Sequence, residues 1–203
     1  MSPLVRLMQT RDAAAVARLH AASITEGFLS RLGQRFLRQL YLGIAEADGS
    51  CVYVAELNGQ VVGFCAYARD VGAMYKRVLR KRFCRLGVAA LPRVLNPLVV
   101  KEVLDTLRYP AKQSDAQLPA AEILSISVDA AARGSGCGRK LLEAVYERAR
   151  ADGQRQIKVL AGARLEGANR FYQACGFDKV AEIVQHGEVL NVYVRDTEPE
   201  AAE

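Results

Sequence analysis

One stretch constrains the fold more than any other: a β-rich run, Glu122–Val128, a glycine-dense turn, and then an amphipathic helix. Ile123, Leu124, Ile126 and Val128 give the run its strand character. Leu141, Leu142, Val145 and Ala149 recur at helical spacing between Gly138 and Asp152, and Gly153 is placed to end that helix. Between strand and helix lies Asp129-Ala-Ala-Ala-Arg133-Gly134-Ser135-Gly136-Cys137-Gly138. Three glycines in five residues let a backbone approach a ligand with no Cβ in the way. The N–H groups opening a helix have no internal acceptor and share the positive end of its dipole. A diphosphate suits such a junction. The glycine spacing is neither Gly-x-Gly-x-x-Gly nor a Walker loop, which weighs against a dinucleotide or nucleoside triphosphate. A structural turn holding no ligand is the alternative.

The remaining chain supplies a sheet and its covers. A first strand is predicted over Val5–Met8, a helix from Asp12 to about Ile24, and a second from about Arg31 to Ala47. Cys51–Leu57 and Gln60–Ala68 flank Asn58-Gly59, the residue pair that a type I′ hairpin turn prefers. From Asp70 to Pro119 the strand rhythm stops. Two or three short helices are predicted there, punctuated by Pro92, Pro97 and Pro110. Gln156–Ala161 reads as a strand and Gly167–Ala174 as a short helix stopped by Gly176. Glu182–Gln185 and Glu188–Val194 read as a terminal hairpin about His186-Gly187. The expected class is mixed α/β or α+β, a central sheet flanked by helices, with a helical insert between the third and fourth strands. One domain over residues 3–195 is expected, with the insert at about 70–119 and an acidic, disordered tail over 196–203.

At 203 residues the chain can bury one substantial core. It has no apolar run of membrane-spanning length and no apolar signal core near Met1, so a cytoplasmic protein is expected. The cysteines at 51, 65, 84, 137 and 175 form no C-x-x-C pair, and there are only two histidines, so neither a disulfide framework nor a metal site is expected. The segment Asp70–Pro110 holds nine basic against three acidic side chains, and so the chain's whole excess of +6. Lys76, Arg77, Arg80, Lys81 and Arg82 lead it. Three readings stay open for it: a solvated cover over a cleft, a site for an acidic partner or anionic ligand, and an anionic membrane surface. No nucleic-acid motif accompanies the charge.

Arg133-x-x-Gly136-x-Gly138 after a strand ending in Val128 resembles the acyl-CoA pyrophosphate loop of the GNAT N-acetyltransferase superfamily. Ala168-Asn-Arg-Phe171-Tyr172-Gln-Ala-Cys-Gly176-Phe177 is similar to that family's second signature, and the two stand in the family's order, one helix and one strand apart. Two positions depart from the pattern: Ala130 where the family often has Pro, and Leu165 where it often has an Asn that orients the CoA arm.

The resemblance implies an N-acetyltransferase that moves an acetyl group from acetyl-CoA to a primary amine in a ternary complex, without metal. It implies cofactor contacts at Ile126, Ser127, Val128, Arg133, Gly134, Ser135, Gly136, Cys137, Gly138, Arg139, Ala168 and Phe171, with an oxyanion donor near the backbone of Val128. It makes Glu122 the candidate base and Tyr172 the candidate acid. Strict alternation groups Glu122 with Leu124, Ile126 and Val128, apolar company that would raise a carboxyl pKa. An exposed strand-end Glu122 and a merely packed Tyr172 are the competing readings. A catalytic Cys137, Ser125 or Ser127 has little support, His186 is expected in a turn, and His20 reads as packing. The insert is expected to help select the acceptor, and a homodimer is one implied assembly. A non-catalytic acyl-CoA-binding module and a nucleotide-binding α/β protein are the rival functions.

Overall fold

The computed structural model describes residues 2–24, 28–94, 118–185 and 187–197. Seven strands form one sheet: β1 (Leu4–Leu7), β2 (Ser50–Leu57), β3 (Gln60–Ala68), β4 (Glu122–Val128), β5 (Gln156–Gly162), β6 (Asp178–Gln185) and β7 (Glu188–Asp196). The helices are α1 (Ala13–Ser23), α2 (Phe28–Arg31), α3 (Gly33–Glu46), α4 (Val71–Val94), α5 (Cys137–Ala151) and α6 (Glu166–Ala174). Strand order is β1-β2-β3-β4-β5-β7-β6, and of the paired neighbours β4 and β5 alone run parallel. The β2–β3 hairpin turns through Asn58 and Gly59, both at positive φ, as its Asn-Gly pair predicts.

Each face of the sheet buries its own core. Leu141, Leu142, Val145 and Ala149 of α5 pack with Cys51, Cys65, Tyr67 and Ile123, joined by Tyr172, Phe177 and Tyr193. On the opposite face Val16 and Leu19 of α1, Leu37, Leu40 and Tyr41 of α3, and Met74 and Val78 of α4 cover Val52, Val54, Phe64 and Ala66. The binary pattern of the chain is spent on these two layers.

The segment after β3 opens as a helix that passes through Pro92. Asp70 caps it by accepting from the Ala73 N–H at 2.8 Å, and a single helix of 24 residues follows, through Pro92. Val71, Met74, Val78, Arg82, Leu86 and Ala90 make a buried stripe at intervals of three and four residues. Arg82 falls within that stripe at 6% exposure and donates to Glu46 Oε2 at 3.1 Å and to Gln39 Oε1 at 2.8 Å. Lys81 donates to the Glu46 carbonyl at 3.3 Å, and Arg77 lies 3.6 Å from Asp48. Three of the five clustered cations are thus directed at the C-terminal end of α3, where the helix dipole favours positive charge. The helices approach closely at Gly43, where an added Cβ would meet Val78 Cγ1 at 2.9 Å. The predicted elements at Pro97 and Pro110, and the exposed loop expected up to Pro119, lie largely outside the described residues. His186 lies there too, as does most of the acidic tail. The start of that tail is ordered: Asp196 belongs to β7, and Thr197 is buried with its N–H bonded to Arg155 O at 2.9 Å.

Candidate functional site

The central irregularity of the sheet is the parting of β4 from β5. β4 pairs with β3 along its length, from Ala68↔Glu122 to Gly63↔Val128. On its other side it meets β5 at only two positions, Glu122↔Lys158 and Ile123↔Val159. Both strands run on beyond those positions, and β5 stays paired to β7 as far as Gly162↔Leu190. The parting therefore begins at Leu124, four residues earlier than Val128. A wedge with unshared backbone groups opens through the sheet there.

A bulge accompanies the parting. Tyr67 pairs with Ile123 and Ala66 with Ser125, so Leu124 is the extra residue on β4. It breaks the alternation expected from the sequence. Leu124 packs on the α1/α3 face, while Ile126 and Val128 pack against the α5 core. Glu122 therefore does not share a face with Ile126 and Val128. Ser125 turns to Tyr41 of α3, and Ser127, two residues on in regular register opposite Phe64, turns the same way. Only the main chain of Ser127 can serve the α5 side.

The glycine loop caps the open end of the wedge. Asp129 accepts from the Ala131 N–H at 3.0 Å and starts a short 3-10 turn over Ala130–Ala132. Gly134 and Gly136 then adopt φ values of +79° and +84°, which L side chains resist, and a Cβ on either would meet nothing within 4 Å. The space beside both is open. Ser135 Oγ donates to the Ala132 carbonyl at 2.5 Å and lies 3.1 Å from Cys137 Sγ, which fixes the loop from within. Cys137 is buried and points inward. Gly136 is the N-cap of α5, whose first turn carries no acidic residue. Arg133 and Arg139 are exposed at its rim. An open backbone cradle at a cationic helix N-terminus fits a diphosphate.

The second signature meets this loop directly. A Cβ on Gly138 would lie 3.1 Å from Phe171 Cζ and 3.2 Å from Cε2. Glycine at 138 is what lets α5 and α6 approach there. Ala168 and Phe171 are half-buried against the α5 core. Tyr172 is buried beside them, its ring 5.6 Å from Phe177 and 5.8 Å from Tyr193. Burial pushes its hydroxyl well above the ordinary tyrosine range.

Glu122 and Lys158 close the narrow end of the wedge. Their charged groups stand 3.5 Å apart, at side-chain exposures of 9% and 3%. Lys158 also donates to the Pro119 carbonyl. Burial pulls its ammonium below the ordinary lysine value, against the opposing pull of Glu122. Glu122 is thus neither an exposed strand end nor an acid in purely apolar company: it is half of a buried ion pair, with Tyr75 of α4 within electrostatic reach.

Two groupings escaped the sequence reading. Asn169 Nδ2 donates to Leu165 O at 2.8 Å, Gly162 O at 3.0 Å and Ala163 O at 3.4 Å. Its Oδ1 accepts from Asn191 Nδ2 at 2.8 Å and Tyr193 Oη at 2.9 Å. One amide ties the β5–α6 turn to β7, close to Leu165, the position of the family's missing Asn. The second grouping joins His20, Tyr41 and Ser125. His20 Nδ1 lies 2.5 Å from Tyr41 Oη, which lies 2.8 Å from Ser125 Oγ. Partners 21 and 84 residues apart leave no local signal.

Among the described residues no cluster of three or more His, Cys, Asp or Glu comes together, and no helix is long and apolar enough to cross a membrane.

The wedge, the glycine cradle and the seven-stranded order define a fold that solved proteins share. The chain has the GNAT N-acetyltransferase fold. A family model described as "Acetyltransferase (GNAT) domain" matches residues 98–179, the span that holds both signatures. An N-acetyltransferase from Staphylococcus aureus Mu50 superposes with a TM-score of 0.63 at 19% identity, covering 98% of this chain and 100% of its own. A candidate acetyltransferase of Salmonella typhimurium, solved with its cofactor acetyl-CoA, gives 0.62 at 17%, covering 100% and 98%. The ribosomal-protein-alanine N-acetyltransferase of Brucella melitensis gives 0.61 at 18%, covering 95% and 99%. No curated protein matches the chain at a significant level.

Proposed function

We propose that this protein is an acetyl-CoA-dependent N-acetyltransferase acting on a primary amine. The observation that carries the reading is the β4–β5 wedge opening onto the Arg133–Gly138 cradle. A solved protein of the same fold was determined with acetyl-CoA, which supports the choice of donor.

The backbone N–H groups at the start of α5 hold the diphosphate, with Arg133 and Arg139 adding charge at the rim. The main chain of Ile126–Val128 pairs with the extended pantetheine arm as an added strand would, because β5 has left that edge free. Ala168 and Phe171 line the arm's other side. Backbone N–H groups of β4 beyond the bulge face the position where the carbonyl oxygen gains charge. The amine nitrogen forms a bond to the acetyl carbon as the carbon–sulfur bond breaks. One amine proton leaves towards Glu122, directly or through water, and the Tyr172 hydroxyl gives its proton to the departing thiolate. The Tyr172 hydroxyl carries its proton at neutral pH, and burial raises the cost of releasing it, so the release has to accompany the build-up of charge on the sulfur. The Glu122 carboxylate lies 3.5 Å from the Lys158 ammonium, which fixes its place at the narrow end of the wedge.

The helix after β3 belongs to this proposal as a wall that helps select the acceptor. α4 buries Met74 and Val78 in the core, so its deletion would unfold the protein. Its exposed Lys76, Arg80 and Arg85 can be reversed to Glu instead, and a changed order of preference among amines is the expected result.

Calorimetric titration of acetyl-CoA into the wild type and Gly136→Glu tests the donor site. Binding that the substitution abolishes is expected; no binding to the wild type would overturn the proposal. Tyr172→Phe separates an enzyme from a binding module: it slows an enzyme at unchanged acetyl-CoA affinity and leaves a module as it was.

A further inference from the structure

Beyond the bulge, β4 carries Ser125 and Ser127 on the face opposite α5. A diphosphate at the N-terminus of α5 approaches the wedge from the α5 side, so the second substrate has the α1/α3 side. Three polar groups gather on that side around Phe64. Ser125 is half-buried beside the wedge and bonded to Tyr41, which is bonded to His20. The His20 ring stacks on Phe64 at a centroid distance of 6.4 Å, and Phe64 pairs across the ladder with Ser127. Ser127 Oγ and His20 Nε2 are both buried, and neither has a hydrogen-bond partner among the described residues. Buried orphan polar atoms are costly and uncommon, and two on one face of a reaction wedge point to a polar occupant.

Burial keeps His20 neutral, pulling its pKa down to about 4. Either ring nitrogen of a neutral imidazole can carry the hydrogen, so the two hydrogen bonds can run in either direction. In both directions the Ser125 oxygen keeps a lone pair beyond its bond to Tyr41. The same burial makes His20 a poor store for a proton, so the chain orients and does not deprotonate.

We propose that Ser125 Oγ, held in place by Tyr41 and His20, is the hydrogen-bond acceptor that binds the N–H of the incoming amine. The proposal rests on the acetyltransferase reading. Ser125 touches the substrate; Tyr41 and His20 are positioning residues.

The test uses the full chain, saturating acetyl-CoA, and whichever of glucosamine, spermidine, tyramine and an alanine-initiated peptide turns over fastest. Ser125→Ala and Tyr41→Phe are expected to raise KM for the amine about tenfold, the worth of one hydrogen bond. The acetyl-CoA Kd should stay within about twofold, because the donor site lies on the other face. His20→Asn places a side-chain amide, able to donate or accept, where Nδ1 was and should stay within about threefold of wild type, whereas His20→Leu should behave like Tyr41→Phe. A purely structural chain would weaken both substrates together and would not distinguish Asn from Leu. Unchanged amine KM in Ser125→Ala and Tyr41→Phe, with turnover intact, overturns the inference and leaves the acetyltransferase standing. A wild type that binds acetyl-CoA but acetylates none of the four amines overturns the inference and the amine reading together. A wild type that binds no acetyl-CoA removes the reading beneath it.

Discussion

The Lys158 ammonium stands 3.5 Å from the Glu122 carboxylate, and both are shut away from solvent at the point where two parallel strands separate. Removing Lys158 takes a cationic neighbour from the buried Glu122 carboxylate. Lys158→Met is expected to cost about 3–5 kcal/mol in urea unfolding, and Lys158→Met with Glu122→Leu to recover more than half of that. A single substitution that costs under about 1 kcal/mol would mean that water or other groups already satisfy Glu122.

His20 gives the fold a pH dependence whose sign is fixed. Its native pKa of about 4 lies below its ordinary 6.5 because burial disfavours the imidazolium. Between these values the unfolded chain binds the extra proton and the native chain does not, so stability rises with pH across that window. Its contribution is complete above about pH 6.5 and is lost as pH falls towards 4. Wild type should lose about 2 kcal/mol to this residue between pH 7 and pH 5, and His20→Asn should not. Parallel denaturant curves for the two proteins at pH 7, 6 and 5 make the comparison.

Gly138 and Phe171 predict a defined defect in cofactor binding. Alanine at 138 presses on the Phe171 ring at 3.1 Å and 3.2 Å, and the half-buried ring must give way by a few tenths of an ångström. Gly138→Ala should change stability by no more than about 1 kcal/mol while weakening acetyl-CoA about tenfold. Adding Phe171→Leu should restore part of the affinity. Calorimetry on the single and double variants decides it; equal affinity in wild type and Gly138→Ala would falsify the coupling.

Asn169 is expected to be a stability residue with a kinetic echo. Asn169→Ala strips Asn191 and Tyr193 of their shared acceptor and removes one of the donors to the carbonyls of Gly162, Ala163 and Leu165, of which Gly162 and Leu165 keep a backbone N–H partner. A loss of about 2–3 kcal/mol follows if two buried groups go unsatisfied. Asn169→Asp keeps the acceptor and loses the donor, and should fall between. Thermal melts rank the three proteins.

The strands and helices were legible wherever periodicity and turn chemistry agreed. Glu122–Val128 and the Asn58-Gly59 hairpin stand where the sequence puts them, because both are written in adjacent residues. The glycine cradle was legible for the same reason. The faces of β4 were not: one bulged residue, Leu124, reverses them, and a bulge depends on the partner strand. α4 is legible as a helix up to Pro92, and only its last two residues, Arg93 and Val94, run past the proline that marks its end in the sequence. Its cations read as a surface patch because their partners, Glu46 and Asp48, lie some thirty residues earlier. Lys158, Asn169 and the His20–Tyr41–Ser125 chain were invisible for that same reason. Long-range polar pairing leaves no period in a sequence.

The near-contact of Gly138 with Phe171 also bears on how such a protein can be recombined or evolve. The glycine loop and the Phe-Tyr signature look like separable cassettes, with a strand and most of a helix between them. In space they share one boundary, and its width is set by the absence of a methyl group. A chimera that takes residues 122–152 from one parent and 166–177 from another will inherit that boundary from neither. Across related chains, a larger residue at the position of Gly138 should arrive only with a smaller one at the position of Phe171.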